Sequence, residues 1–179
     1  MTELVDVNIK NIKFKKSCEK IKEHKTNYII SHNGKKPIVN IEKAYIPFGC
    51  EIYEKRQILN IEIDPKKHYD VYAAINGFEN QLANIENYTD KDVIKNIENK
   101  GYYKNIRESK MGYIIRSHLF YEPKVFCNIN GFTSTMTLND IKNTVANVEL
   151  EFGTLWITDN NYGIIWTIKK IEVLYNKKN

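Results

Sequence analysis

Residues 149–174, ELEFGTLWITDNNYGIIWTIKKIEVL, decide the fold. Two alternating runs flank an Asn-rich break. A two-residue turn at Asn160-Asn161 pairs Asp159 with Tyr162. Leu155 then opposes Trp166, Ile157 opposes Ile164, and Trp156 opposes Ile165. Further back, Phe152 opposes Lys169, Leu150 opposes Ile171, and Val148 opposes Val173. Near the turn the apolar face holds Leu155, Ile157, Ile164, Trp166 and Ile168. Away from it the opposite face holds Val148, Leu150, Ile171 and Val173, so the inner side switches near Gly153. Sliding the pairing by one sets Leu150 against Glu172 and Phe152 against Lys170, which is worse. A strand pair that exchanges its inner face halfway suits a coiled sheet, closed or partly open as a small β-barrel, with glycine permitting the bend.

In this register Trp156 shares a face with Thr154, Thr158, Ile165, Thr167 and Lys169, while Trp166 points into the core. A large aromatic on a polar, cationic surface is what binders of single-stranded nucleic acid use. Bases stack on the ring for about 1–3 kcal/mol each, and lysine answers the phosphate. An indole packed under a helical insertion or at a dimer contact gives a purely structural alternative. Both stay open at this point.

Working outward, residues 3–16 read as a strand with a slip. Val5, Val7 and Ile9 share one parity and Ile12 and Phe14 the other, so a β-bulge is expected at Lys10-Asn11. Short β-like runs at 27–32 and 37–42 flank Asn33-Gly34, a strong hairpin signal. In RQILNIEID, Leu59, Ile61 and Ile63 alternate with Asn60 and Glu62. The period then changes: Val71, Ile75, Phe78, Leu82 and Ile85 form a helical stripe, opened by Asp64-Pro65. Thr89 and Asp92 resemble a capping box for a second, short helix that ends by Gly101. After a polar stretch at 102–110, strands are expected at 111–121, 124–130, 132–137, 145–158 and 162–174, with a helical turn in LNDIKNT. This order gives a mainly β (α+β) chain, one domain over 1–179, with a helical insertion at about 66–100 and no βαβ alternation.

Composition bounds the function. The chain has 179 residues, 42% hydrophobic and 27% charged, which suits a folded domain rather than a disordered one. No run nears the roughly 18 apolar residues of a membrane span. MTELVDVNIK carries charge where a signal peptide needs an apolar core, and Cys18, Cys50 and Cys127 are odd in number and far apart. The expectation is an intracellular protein, in host cytoplasm or nucleus if viral. Lysines number 24 against three arginines, Arg56, Arg107 and Arg116, and Ile and Asn abound, which points to an AT-rich genome. A lysine cluster is then by default a solvated face. Still, residues 1–36 hold nine lysines against four acidic residues. Lys13, Lys15, Lys16, Lys20, Lys22 and Lys25 could track a phosphate backbone.

Residues 149–174 and PFGCEIYEKRQILNIEI (47–63) resemble the closing hairpin and the helix-leading strand of OB-fold single-stranded DNA-binding proteins of large DNA viruses and phages. Strands, a helical insertion, then strands is also the OB order. The resemblance implies an OB-like barrel with a groove lined by aromatic and basic residues. Mapped onto this chain, these are Trp156, Lys169, Tyr113 and Arg116, with Lys13, Lys15 and Lys16 from the first strand. The chain departs from many such proteins by ending in LYNKKN rather than an acidic tail, which puts a tail-mediated contact with replication partners in doubt.

Catalytic signatures are missing. His24, His32, His68 and His118 are dispersed, with no CxxC or HxxxH spacing, and no P-loop, GxGxxG or GxSxG appears. The acidic residues do not cluster as a two-metal nuclease needs. The expectation is a non-enzyme without cofactor or metal that binds single-stranded DNA without reading sequence, in viral DNA replication or repair. RNA in place of DNA, self-association and replication proteins stay open as partners. The rivals are a viral β-rich protein–protein interaction module and a small nuclease or nucleotide-processing enzyme with an unrecognised site.

Overall fold

Most of the alternating runs do form strands. The computed structural model describes residues 2–3, 7–17, 25–110, 112–119, 124–129 and 132–177. The described chain is mainly β. Its elements begin with β1 (Thr2–Glu3), β2 (Ile12–Lys16), β3 (Thr26–His32), β4 (Pro37–Ile46), β5 (Cys50–Tyr53) and β6 (Arg56–Ile63). Helices α1 (Tyr69–Ala83) and α2 (Lys91–Ile97) follow. Then come β7 (Gly101–Tyr103), β8 (Ile106–Ser109), β9 (Gly112–His118), β10 (Lys124–Ile129), β11 (Phe132–Thr135), β12 (Thr144–Ile157) and β13 (Asn161–Asn176). Among the described residues no helix is long and apolar enough to cross a membrane.

The chain divides into two compact units. The first comprises Met1–Ile38, Ala73–Asn105 and Phe152–Ile165; the second comprises Val39–Tyr72, Ile106–Glu151 and Trp166–Asn179. In the first unit β2 pairs antiparallel with β3, β3 with the end of β12, and the start of β13 runs parallel to β7. Its core holds Tyr28, Ile30, Phe78, Leu82, Val93, Ile97, Phe152 and Leu155, with Phe78 and Phe152 edge to face at 4.8 Å. In the second unit β6 pairs with β9 over six residues and β5 folds back on β6. There β10 runs parallel to the later part of β13. That core is Ile41, Ile46, Leu59, Ile61, Ile63, Ile115, Val148, Leu150, Trp166 and Ile171.

The helical insertion is anchored by buried polar groups. Tyr88 Oη donates to the Leu82 carbonyl at 2.8 Å, and Tyr162 Oη donates to Leu82 and Ala83 carbonyls at 3.1 and 3.2 Å. These phenols satisfy carbonyls that the end of α1 leaves without helical partners. Glu79, fully buried on α1, accepts from Tyr102 Oη at 3.0 Å and from the Asn105 backbone N–H at 2.8 Å. Asn105 Nδ2 also donates to the Ile164 carbonyl at 2.8 Å. One side chain and two neighbours thus tie α1 to β13 and to the residues after β7.

Burial along β12 alternates on even residues up to Phe152 and on odd residues from Gly153, so the inner face switches where the sequence places it. The Asn33-Gly34 turn forms, but β3 and β4 on either side of it do not pair as a hairpin: β3 lies between β2 and β12. Four further details differ. The hairpin closes one residue earlier: the Thr158 N–H donates to the Asn161 carbonyl at 2.8 Å, leaving Asp159-Asn160 as the turn. That moves cross-strand partners by two residues and preserves the faces. Trp156 accordingly lies beside Gly163 rather than Ile165. Second, Ile165 and Thr167 are buried, not part of a polar surface, since Tyr162–Ile168 is one buried run. This part of β13 has parallel neighbours in β7 and β9, and strands in parallel pairing are characteristically covered on both faces. Third, the slip before β2 is a 3₁₀ turn at Ile9–Asn11 rather than a bulge, and it buries both Ile9 and Ile12. Fourth, Asp90, not Thr89, caps α2, its carboxylate accepting from the Asp92 and Val93 N–H groups. The expected strand residues 4–6, 111, 120–121 and 130, and Lys20 and Lys22, lie outside the described residues.

Candidate functional site

The first unit presents a five-strand layer whose outer face can be read from the registers. Trp156 pairs with Asn27 and Thr154 with Ile29; Ile29 also pairs with Lys15, and Ser31 with Lys13. Residues directly opposite in neighbouring strands share a face. Lys13 and Lys15 therefore stand on the same side as Trp156. The other side carries Tyr28, Ile30, Leu155 and Ile157, all buried. Lys13, Lys15 and Ile29 are exposed, and Trp156 is partly exposed.

Four features hold the indole where it is. Gly163 pairs with Tyr103 on β7, and a Cβ at Gly163 would lie 2.8 Å from Trp156 Cζ2 and 2.9 Å from the Tyr103 carbonyl oxygen. Only glycine leaves room for a ring laid across the strand. Tyr103 then stands beside that ring, centroids 6.0 Å apart, and is 40% exposed. The Lys25 Nζ lies 5.9 Å from the indole centroid, within cation–π range. Lys100 Nζ donates to the Thr158 carbonyl at 2.5 Å and braces the end of the hairpin. The result is a platform: two aromatic rings, an ammonium group over one of them, and two more lysines on the edge strand.

The other sequence-derived candidates fall elsewhere. Lys16 pairs with Tyr28 and so faces away from Lys13 and Lys15. Lys169, expected beside Trp156, belongs to the second unit and makes an ion pair with Glu151 at 3.7 Å. Tyr113 stacks on Tyr72, centroids 4.5 Å apart. Arg116, three residues along β9 and on its opposite face, sits 5.4 Å from the Tyr53 ring centroid. Both belong to the second unit.

No family model and no curated protein matches the sequence. Among solved structures, the chain is similar to a C-terminally truncated single-stranded DNA-binding protein from bacteriophage Enc34. The identity is 13%, the TM-score is 0.46, and the match covers 93% of this chain and 96% of that one.

Sequence reasoning missed Tyr103 as a site residue and gave Gly163 no role. Residues 102–110 look polar, and β7 is three residues long, too short for alternation to register. Gly163 left a signal, since glycine inside a strand often marks close approach of another group. Among the described residues no group of three or more His, Cys, Asp or Glu is placed to hold a metal ion.

Proposed function

We propose that this protein binds single-stranded DNA without reading its sequence, has no catalytic activity, and serves viral DNA replication or repair inside the cell. The observation that carries the reading is the single solvent face on which Trp156 and Tyr103 lie side by side, with Lys25 over the indole and Lys13 and Lys15 two strands away. Stacking needs bases free of a partner strand, which favours single strands over duplex. With strands about 4.8 Å apart, the run from β7 to β2 crosses about 19 Å, room for several nucleotides. We also propose that β13, β9, β6, β4 and β12 close as an OB-like barrel with 66–100 as its insertion. Supporting this, β12 neighbours both β4 and β13, and β13 neighbours both β12 and β9.

Trp166 is sealed at 0% exposure, so quenching of tryptophan fluorescence by oligo-dT reports on Trp156. The expected result is quenching on binding and a log–log salt slope of about −2, as three neutralised phosphates give on a single strand. Trp156→Ala weakens binding by about 1–3 kcal/mol. Binding that leaves the fluorescence unchanged and survives Trp156→Ala would sink the proposal. Indifference to oligonucleotide at low salt points to the protein–protein interaction module instead. Metal-dependent loss of the probe points to a nuclease.

A further inference from the structure

Among the exposed aromatics of the other unit, Tyr53 lies on the β5–β6 hairpin. Ile52 is 78% exposed and Tyr53 is 53% exposed. The hairpin closes through Glu54 and Lys55, both at positive φ (47° and 66°). That tight turn suits Asn-Gly and strains residues with a Cβ, so two charged residues there are held at a cost. Its effect is to set Tyr53 directly opposite Arg56. The β6–β9 register continues the face: Asn60 opposes Arg116 and Ile58 opposes His118. Tyr53, Arg56 and Arg116 therefore share one side of the sheet, with the Arg116 guanidinium 5.4 Å from the Tyr53 ring centroid.

Arginine is scarce in this chain, at three against 24 lysines, and two of the three converge on this one tyrosine. Codon bias accounts for lysines here and does not account for that. A guanidinium forks onto phosphate oxygens and stacks on an aromatic plane, neither of which an ammonium does. The local carboxylates are Glu51 and Glu54, against the cations Lys55, Arg56 and Arg116. Glu51 Oε2 accepts from Asn60 Nδ2 at 2.8 Å. Beside the tip lies a shallow pocket of about 440 Å³ lined by Ile52, Lys55, Arg56, Gln57, His118 and Leu119.

We infer that this hairpin is a second binding site for single-stranded nucleic acid, in which a base stacks on Tyr53 and Arg56 and Arg116 take the phosphates. It adds a site to the function proposed above but stands on its own residues, so the two can fail separately. The experiment measures anisotropy of a labelled oligo-dT with wild type, Trp156→Ala, the pair Tyr53→Ala and Arg116→Gln, and all three changes together. Circular dichroism and melting confirm that each variant folds. Trp156→Ala is expected to retain salt-sensitive binding, and adding the hairpin changes to it lowers the residual affinity about tenfold. The hairpin pair alone leaves the quenching of Trp156 by a short oligonucleotide intact. If the hairpin changes shift affinity less than twofold in both backgrounds, the second site is overturned. So is it if poly-glutamate, and not oligo-dT, binds in a Tyr53-dependent way, which assigns the hairpin to an acidic peptide partner. Loss of all binding with the hairpin pair, and none with Trp156→Ala, supports the second site and overturns the first.

Discussion

The two units each place one tryptophan on the β12–β13 hairpin and treat it oppositely. In the first, Trp156 lies across Gly163 on the solvent face, with Tyr103 beside it. In the second, Trp166 is enclosed at 0% exposure. Neither residue type nor strand type separates them; what covers the strand does. In the first unit Glu79 ties Tyr102 and Asn105, the residues flanking Tyr103 and Lys104, to α1, so the strand that carries Tyr103 is anchored from its inner side. The second unit sends one of its exposed aromatics, Tyr53, out near the tip of the β5–β6 hairpin. A fixed platform and a projecting finger present the same chemistry with different preorganisation.

The sharpest way to break this contrast is to truncate both rings. Trp166→Ala should cost about 3–5 kcal/mol of stability, as large-to-small changes of buried aromatics do. Trp156→Ala should cost about 1 kcal/mol, since part of its surface stays in water. Chemical denaturation of both variants checks this, and equal losses would mean that Trp156 is a core residue. Next in size is Glu79→Leu, which removes the acceptor of the Asn105 N–H and the Tyr102 hydroxyl. Each orphaned donor costs about 1–3 kcal/mol, and Tyr103 should lose its fixed place, so oligonucleotide affinity falls with stability. Glu79→Gln keeps an oxygen there and should cost less. An unchanged melting curve for Glu79→Leu would remove the anchor from the account.

Alkali offers a gentler probe of the same difference. Burial raises the phenols of Tyr28, Tyr88, Tyr102 and Tyr162, with hydrogen bonding to Asp92 adding for Tyr28 and the Glu79 charge adding for Tyr102. All four belong to the first unit. The folded form holds these protons more tightly than the unfolded chain, whose tyrosines ionise near about 10. Their contribution is therefore complete below that pH and lost as pH rises through the higher folded values. Tyrosinate absorbance should appear in two stages, the second coincident with loss of circular dichroism. A single stage near 10 with the fold intact would show these groups to be open to water.

What the sequence revealed followed from local alternation. The switch of inner face near Gly153, the turn at Asn33-Gly34 and the stripe from Ile75 through Phe78 to Leu82 depend on neighbours along the chain and formed where expected. Ile85, however, fell in a 3₁₀ turn past α1, and the strands beside Asn33-Gly34 paired elsewhere instead of with each other. The covered run Ile165–Thr167 did not show itself, because burial on both faces comes from strands and layers far away in sequence. The site divided in the same way. Alternation along β2 put Lys13 and Lys15 on one side and Lys16 on the other, but only the β3 register shows which side meets Trp156. Tyr103 arrives from a three-residue strand after the helices, and nothing near it in sequence points to an indole more than 50 residues away.

The smallest effect isolates the platform's electrostatics from its stacking. Lys15 is exposed on strand β2, opposite Ile29, whose side chain is itself exposed. Lys15→Gln should leave the melting temperature within the small range of surface substitutions. If its ammonium displaces one condensed counterion, the salt slope for oligo-dT should flatten by about 0.7. Lys16→Gln, on the opposite face of the same strand, carries the same change in net charge and should leave the slope unaltered. The pair therefore tests position rather than total charge. Equal flattening by both would mean that the strand attracts DNA only as part of a diffuse positive field, with no path for the phosphates past Lys13 and Lys15.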